Sequence, residues 1–276
     1  MRKKISVIFI ALFCLGWLNV VQAKETGFHP AIGEVRLDIQ GVESVVVTPD
    51  GGLALWASKS GLVAGFPVFE DNKVFVSSHV LADVNADGAK EIIVLTRDAA
   101  DAFGVSVYGG NAALLASASL GQATVYYDPA ALLAVSGIKD GFIVGTNEGD
   151  ALLFIYDNGQ LVFEKLASFG VPIAISASLS GDKIFVASPL NEEIVVFSKN
   201  GAIWEKSQTI QVGKPIVHPV VLDEQNNLFA VTSDNGLTAI NLDSGEKLAN
   251  FPIALSSAPI SSPVLTNITA DNAGNE

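Results

Sequence analysis

Residues 48–61 read TPDGGLALWASKSG, and residues 232–245 read TSDNGLTAINLDSG. Thr48, Asp50, Gly52, Leu53, Ser60 and Gly61 return 184 positions later as Thr232, Asp234, Gly236, Leu237, Ser244 and Gly245. The echo runs on into Gly65-Phe66-Pro67, answered by Asn250-Phe251-Pro252. Intermediate copies fill the gap, marked by tight turns: KSG at 59–61, GGN at 109–111, DNG at 157–159, KNG at 199–201 and DSG at 243–245. Their final residues are 50, 48, 42 and 44 apart, a mean of 46. Ahead of each turn lies one recurring run: SVVVT, EIIVLT, GFIVGT, KIFVAS and LFAVTS. Proline marks a third phase, in VPIAISASL from 171, KPIVHPVVL from 214 and APISSPVL from 258.

Each unit holds short Val-, Ile-, Phe- and Ala-rich runs separated by Gly, Asn, Asp and Pro turns, with no sustained helical period. The chain therefore reads as all-β. A period of 40–50 residues with about four strands is the mark of β-propeller blades, each burying its faces against two neighbours. A two-sheet sandwich array is the rival arrangement; a β-solenoid needs a shorter period. The expected blades run approximately 24–68, 69–118, 119–166, 167–208 and 209–254, with a partial one at 255–276. In the fifth, the proline segment supplies the inner strand, followed by NLFAVTS, GLTAINL and EKLANFPI. Small residues on inner strands fit where blades converge on the axis. Trp56 and Trp204 are expected to fill blade interfaces, with sugar stacking as the other use for an exposed tryptophan.

The tail SSPVLTNITADNAGNE repeats SSHVLADVNADGAKE of residues 77–91. Two readings stay open. Either the chain is part of a larger propeller of six to eight blades, or its last strand closes a five-bladed ring against the first.

At the other end, Arg2-Lys3-Lys4 precedes the apolar run ISVIFIALFCLGWLNVV and the small-residue site Val21-Gln22-Ala23. This is the pattern of a secretory signal peptide, residues 1–23. A membrane anchor is the competing reading, but the run is at the short limit for a span and no second follows, so no stable membrane span is expected. Cys14, the one cysteine, leaves with the signal. The exported chain then has no disulfide and must be held by packing. The signal carries three of 16 basic residues and none of 29 acidic ones, which leaves 13 − 29 = −16. Such a charge disfavours nucleic acid and anionic membranes as partners. The expected location is secreted, periplasmic or at the cell surface.

The stretch LADVNADGAKEIIVLT, residues 81–96, crowds acceptors ahead of a strand: Asp83, Asn85 and Asp87 on alternate positions, then Gly88 and Glu91. A hard cation such as calcium takes six or more oxygens, alternate residues of a tight loop aim at one centre, and glycine permits the bend. An EF-hand is excluded, because the loop is nine residues long and a strand follows it. The metal-free alternative is an Asx-rich turn capping the strand.

Together, GFPV at 65–68 and SSHVLADVNADGAKEIIV resemble the FG-GAP (VCBS-type) repeats of integrin α-like propellers and many exported bacterial proteins. The resemblance implies a calcium loop, D-x-[DN]-x-D-G-x-x-[DE], at a blade's first hairpin. Asp83, Asn85, Asp87 and Glu91 would then ligate through side chains and Ala89 through its carbonyl. The tail carries a poorer copy at 267–275, with Asn267, Thr269 and Asp271 and with Asn272 in the glycine position. Later blades, in TAINLDSGEKL and FSKNGAIWEK, resemble quinoprotein-like propeller repeats, a type that includes dehydrogenases and an outer-membrane-assembly lipoprotein.

No glycine-rich phosphate loop, nucleophile-elbow serine or zinc spacing occurs. His29, His79 and His218 read as packed or rim residues. The Asn267-Ile268-Thr269 triplet matches a glycosylation sequon. The expectation is therefore a non-enzymatic, exported, calcium-binding propeller serving as a protein- or polysaccharide-binding or adhesion module. The alternatives are the propeller part of an extracellular lyase or quinoprotein-like enzyme whose catalytic residues lie outside this chain, and a cell-envelope assembly scaffold.

Overall fold

The structure is a computed structural model describing residues 31–39, 41–48, 50–76, 79–122, 134–138, 141–146, 148–170, 174–176, 183–187, 192–201, 203–218, 220–223 and 225–258. Residues 1–23, expected to form a signal peptide, together with His29 and the tail loop at 267–275, lie outside them. The described residues contain strands and no α-helix.

The first sheet orders β1 (Ala31–Gly33), β2 (Glu43–Val47), β3 (Leu53–Ala57) and β4 (Gly61–Leu62) as adjacent antiparallel strands. In the second, β5 (Lys73–Phe75) and β6 (Val80–Ala82) are two halves of one inner strand along β7 (Glu91–Asp98), with β8 (Ala102–Tyr108) and β9 (Leu114–Gln122) beyond. The third runs β10 (Ala134–Ile138), β11 (Gly141–Gly145), β12 (Asp150–Asp157), β13 (Gln160–Ser168). The fourth runs β14 (Ala174–Ser176), β15 (Lys183–Ala187), β16 (Glu193–Asn200), β17 (Ile203–Gln211). The fifth runs β18 (Val221–Leu222), β19 (Asn227–Val231), β20 (Gly236–Asn241), β21 (Ile253–Ala254).

The repeated run before each turn is the second strand of its sheet, and the Gly-containing turn joins the third strand to the fourth. Between β12 and β13 the turn has two residues, Asn158 and Gly159, with φ of 49° and 82°. Two positive φ angles are what a type I′ hairpin demands, hence Asn-Gly.

Because strand side chains alternate between faces, each blade has a face toward the next blade (leading) and one toward the previous (trailing). On the second strands, Val45 and Val47 of blade 1 lead, while Ile92 and Val94 of blade 2 trail, and the four share one buried cluster. The pattern repeats between blades 2 and 3 (Ile93 and Leu95 with Phe142 and Val144), 3 and 4 (Ile143 with Ile184 and Val186), and 4 and 5 (Phe185 and Ala187 with Leu228 and Ala230). The inner strands β1, β6, β10 and β14 touch in turn. Among the described residues, sheets joined face to face about converging inner strands make five β-propeller blades and four buried interfaces. Among the described residues no buried cluster joins blade 5 to blade 1.

Several expectations need correcting. Trp56 fills no interface: it points from the trailing face of blade 1 and is 41% exposed. Trp204 does pack, beside the blade 3–4 cluster, with the Lys199 ammonium 5.8 Å from its ring centre. In EKLANFPI the ladder is reduced to one bridge at Lys247 and the two residues of β21, and Phe251 between them packs edge-on against Phe229. Strands β9, β13 and β17 run past the anticipated limits 118, 166 and 208. They are outer edges, largely exposed on β13 and β17, and carry little of the apolar alternation that marks a strand's end. Each is bulged against its neighbour, at Phe103/Gly104 and Val107/Tyr108, at Ala151/Leu152 and at Val196/Phe197.

Gly141 opens β11 so close to β12 that a Cβ there would lie 2.4 Å from the Phe154 carbonyl oxygen. Backbone cannot yield as a flexible side chain does, so Gly141→Ala is expected to lower stability by about 1–3 kcal/mol in urea unfolding, the cost of overpacking. An unchanged midpoint would show that the two strands separate freely.

Candidate functional site

The loop 83–90 joins β6 to β7 in the first hairpin of blade 2, where the sequence placed it. Its hydrogen bonds turn inward. Asp83 accepts from the backbone N–H of Asp87 (Oδ1, 3.2 Å) and of Gly88 (Oδ2, 3.0 Å). Asn85 Oδ1 accepts from Asp87 N–H at 2.9 Å, and Asp87 Oδ1 accepts from Ala89 N–H at 2.8 Å. These are Asx turns, which let short polar side chains wind the backbone tightly. The winding puts Ala86 and Gly88 at φ of 60° and 90°.

Glu91, the first residue of β7, is 2% exposed and points back into the loop. Its Oε2 accepts from Val84 N–H (2.9 Å), and its Oε1 from the Asn85 amide Nδ2 (3.0 Å). The same amide also donates to Asp87 Oδ2 at 3.2 Å. Burial, and then the charges of Asp87 and Asp83, hold the Glu91 carboxyl above its ordinary range, with the Val84 N–H acting the other way. Asp83, Asn85, Asp87 and Glu91 are thus drawn into one network, and Ala89 contributes its N–H to it.

The donor set suits a hard divalent cation: oxygens only, three of the residues carboxylates, and a glycine at the bend. Among the described residues no three His, Cys, Asp or Glu side chains are gathered like ligands of one ion. In this loop the partially positive Asn85 NH₂ lies between the Asp87 and Glu91 carboxylates, the place where positive charge is needed. Ligation through Asn85 oxygen requires that amide to turn.

Blade 1 carries a twin of this loop that the sequence reading missed. Glu43, the first residue of β2, is fully buried, and its Oε2 accepts from Val35 N–H at 2.9 Å, as Glu91 does from Val84. Arg36 stands next to Val35 as Asn85 stands next to Val84, and its Nε donates to Asp38 Oδ1 at 2.8 Å. The Asp38 hydrogen bond, and with it the charges of Asp38 and Glu43, raise the Arg36 guanidinium above its ordinary value. One extra residue between Val35 and Glu43 hid the correspondence. The available signal was the glutamate that opens both ESVVVT and EIIVLT.

Of the histidines, His79 is 4% exposed, and its Nε2 accepts from Ala31 N–H at 2.8 Å, joining blade 2 to the inner strand of blade 1. His218 is half-buried. Glu70 receives the Tyr108 hydroxyl (2.7 Å) and the Lys73 ammonium (2.8 Å), a polar clasp beside the blade 1–2 core.

No family model and no curated protein matches this sequence. Among solved structures, a chain of "Crystal Structure of Mitotic Checkpoint Complex" is similar with a TM-score of 0.58 and 13% identity, over 82% of this chain and 63% of that one. "Crystal structure of WD40 beta propeller domain of Doa1" is similar with a TM-score of 0.49 and 15% identity, over 79% of this chain and 66% of that one. This chain therefore spans about two thirds of the length of these neighbours. At such identities the likeness is one of fold, that of a β-propeller repeat protein.

Proposed function

We propose that this β-propeller is an exported, calcium-binding module of the FG-GAP type, which contacts a protein or polysaccharide through its loops and carries out no catalysis. The observation that carries the reading is Glu91, a carboxylate buried at the base of the 83–90 loop with Asp83 and Asp87 close enough to disfavour its charge. Calcium, when bound, supplies the charge that these three carboxylates lack. Asp83, Asn85, Asp87 and Glu91 would hold it through side-chain oxygens and Ala89 through its carbonyl, tying the end of β6 to the start of β7. Export is supported by the basic, apolar and small-residue succession of residues 1–23. Among the described residues no helix is long and apolar enough to cross a membrane.

The test is thermal unfolding of the exported chain across a calcium titration. A cation bound by the folded state alone stabilises by RT ln(1 + [L]/Kd), about 2.7 kcal/mol at one hundred times Kd. The melting temperature is expected to climb with calcium, and Asp87→Ala to remove the climb. A melting temperature indifferent to calcium would remove the metal from the function.

A further inference from the structure

We propose that Arg36 is a fixed cation built into blade 1, where its guanidinium does for the loop between β1 and β2 what a bound ion would otherwise have to do. Residues 34–38, EVRLD, stand position for position against DVNAD of residues 83–87. Both loops then close on a glutamate that opens the second strand, Glu43 in one and Glu91 in the other. Each loop thus carries three carboxylates: Glu34, Asp38 and Glu43, or Asp83, Asp87 and Glu91. The residue between the first two differs. Blade 2 has the Asn85 amide there, and blade 1 has an arginine.

Glu43 shows why a positive charge is needed. It has no exposed surface, and its Oε2 is held by the Val35 N–H. Its Oε1 is buried as well and, among the described residues, accepts from no donor. A carboxylate taken out of water in this way is strongly unfavourable unless an opposite charge stands close by. Arg36 supplies that charge. Its Nε donates to Asp38 Oδ1 at 2.8 Å and its Nη2 to Asp38 Oδ2, while the Glu43 carboxylate acts on the same guanidinium through space. A guanidinium keeps its proton at any pH a folded protein meets, so a chelator cannot remove this cation and acid cannot neutralise it.

Blade 2 walls the arginine in. At the turn joining β8 to β9, a Cβ on Gly110 would lie 2.6 Å from Arg36 Cγ and 2.8 Å from the Val35 carbonyl oxygen. Only bare glycine backbone lets the blade 1 loop approach so closely. The stem of Arg36 is therefore seated against a rigid neighbour, with its charged end between Asp38 and the buried Glu43.

Urea unfolding of the full exported chain in EDTA tests this through a double-mutant cycle. Arg36→Met keeps the stem and removes the charge, and is expected to lower the folding equilibrium constant about tenfold or more. In a Glu43→Gln background the same substitution should cost little, because a neutral amide needs no counter-charge. If Arg36→Met alone does not fold, the double variant should. A stable Arg36→Met chain overturns the proposal. So does a loss equally large whether position 43 is Glu or Gln, or a double variant that fails along with the single one, since Arg36 would then serve packing and Asp38 alone. In EDTA the cycle reads blade 1 by itself, and calcium binding by the 83–90 loop can fail without altering it.

Discussion

Phe154→Ala is expected to lose about 3–5 kcal/mol of stability, the cost of emptying a large buried aromatic site. Phe154 has no exposed surface and lies parallel to Phe142, with ring centres 5.0 Å apart and planes within 3°. Both rings belong to the cluster between blades 2 and 3, so the cavity opens at a seam between repeats. In an array whose stability is largely a sum over neighbouring units, weakening one seam uncouples what lies on either side. Urea unfolding should therefore show a lower midpoint and a broader transition. The internal control is Phe163→Ala: that ring is 51% exposed and should cost far less. Equal losses in the two variants would mean that the blade 2–3 seam contributes little.

Acid is the second large effect. Burial pushes the His79 imidazole down to about 4 from an ordinary 6.5, while the Val45 backbone beside it works in the opposite direction. The folded state thus keeps His79 neutral, as it must to accept the Ala31 N–H, whereas the unfolded chain takes a proton below pH 6.5. Above 6.5 neither state is protonated and the full stability is present. As pH falls from 6.5 towards 4, the unfolded state alone gains the proton, and stability drops by about 1.4 kcal/mol per pH unit, about 3 kcal/mol in all. Carboxylates whose values are lowered, such as Glu70 and Asp150, lose their contribution further towards acid. The raised Glu91 carboxyl works the other way, the folded state taking its proton before the unfolded chain does and offsetting part of this loss. The histidine's share is therefore read as the difference from a variant that cannot titrate. His79→Gln can still accept from Ala31 but cannot titrate. Between pH 6.5 and 5 its stability should lack the histidine's fall that the wild type shows, and parallel curves would assign the slope elsewhere.

The blade count and strand order were legible in the sequence because two signals were independent. The turns needed Gly or Asn for positive φ, and the second strands, buried on both faces in blades 2 to 4, needed uninterrupted Val, Ile, Leu and Phe. The outer strands were less legible, since QLVFEKLAS and IWEKSQTIQ are mostly wet and free to carry charge. Trp56 was misjudged because a repeat pattern says which way a side chain points, not whether another blade stands there. In the candidate site, the spacing of Asp83, Asn85, Asp87 and Glu91 marked the loop, but the bridging role of the Asn85 amide needed coordinates. The blade 1 twin escaped because an added residue and an arginine broke the motif while the Val35–Glu43 hydrogen bond preserved the geometry.

The bulges on β9, β13 and β17 bear on how the rim meets the outside world. A peptide adding itself as a further strand needs an evenly spaced row of amides and carbonyls, and a bulge bends that row and raises its twist. The Glu164-Lys165 and Glu205-Lys206 pairs along two of those rims would also have to shed water against the newcomer. Main-chain zippering is therefore disfavoured along these three edges, and any recognition there would fall to side chains and loop tips, where specificity is easier to encode.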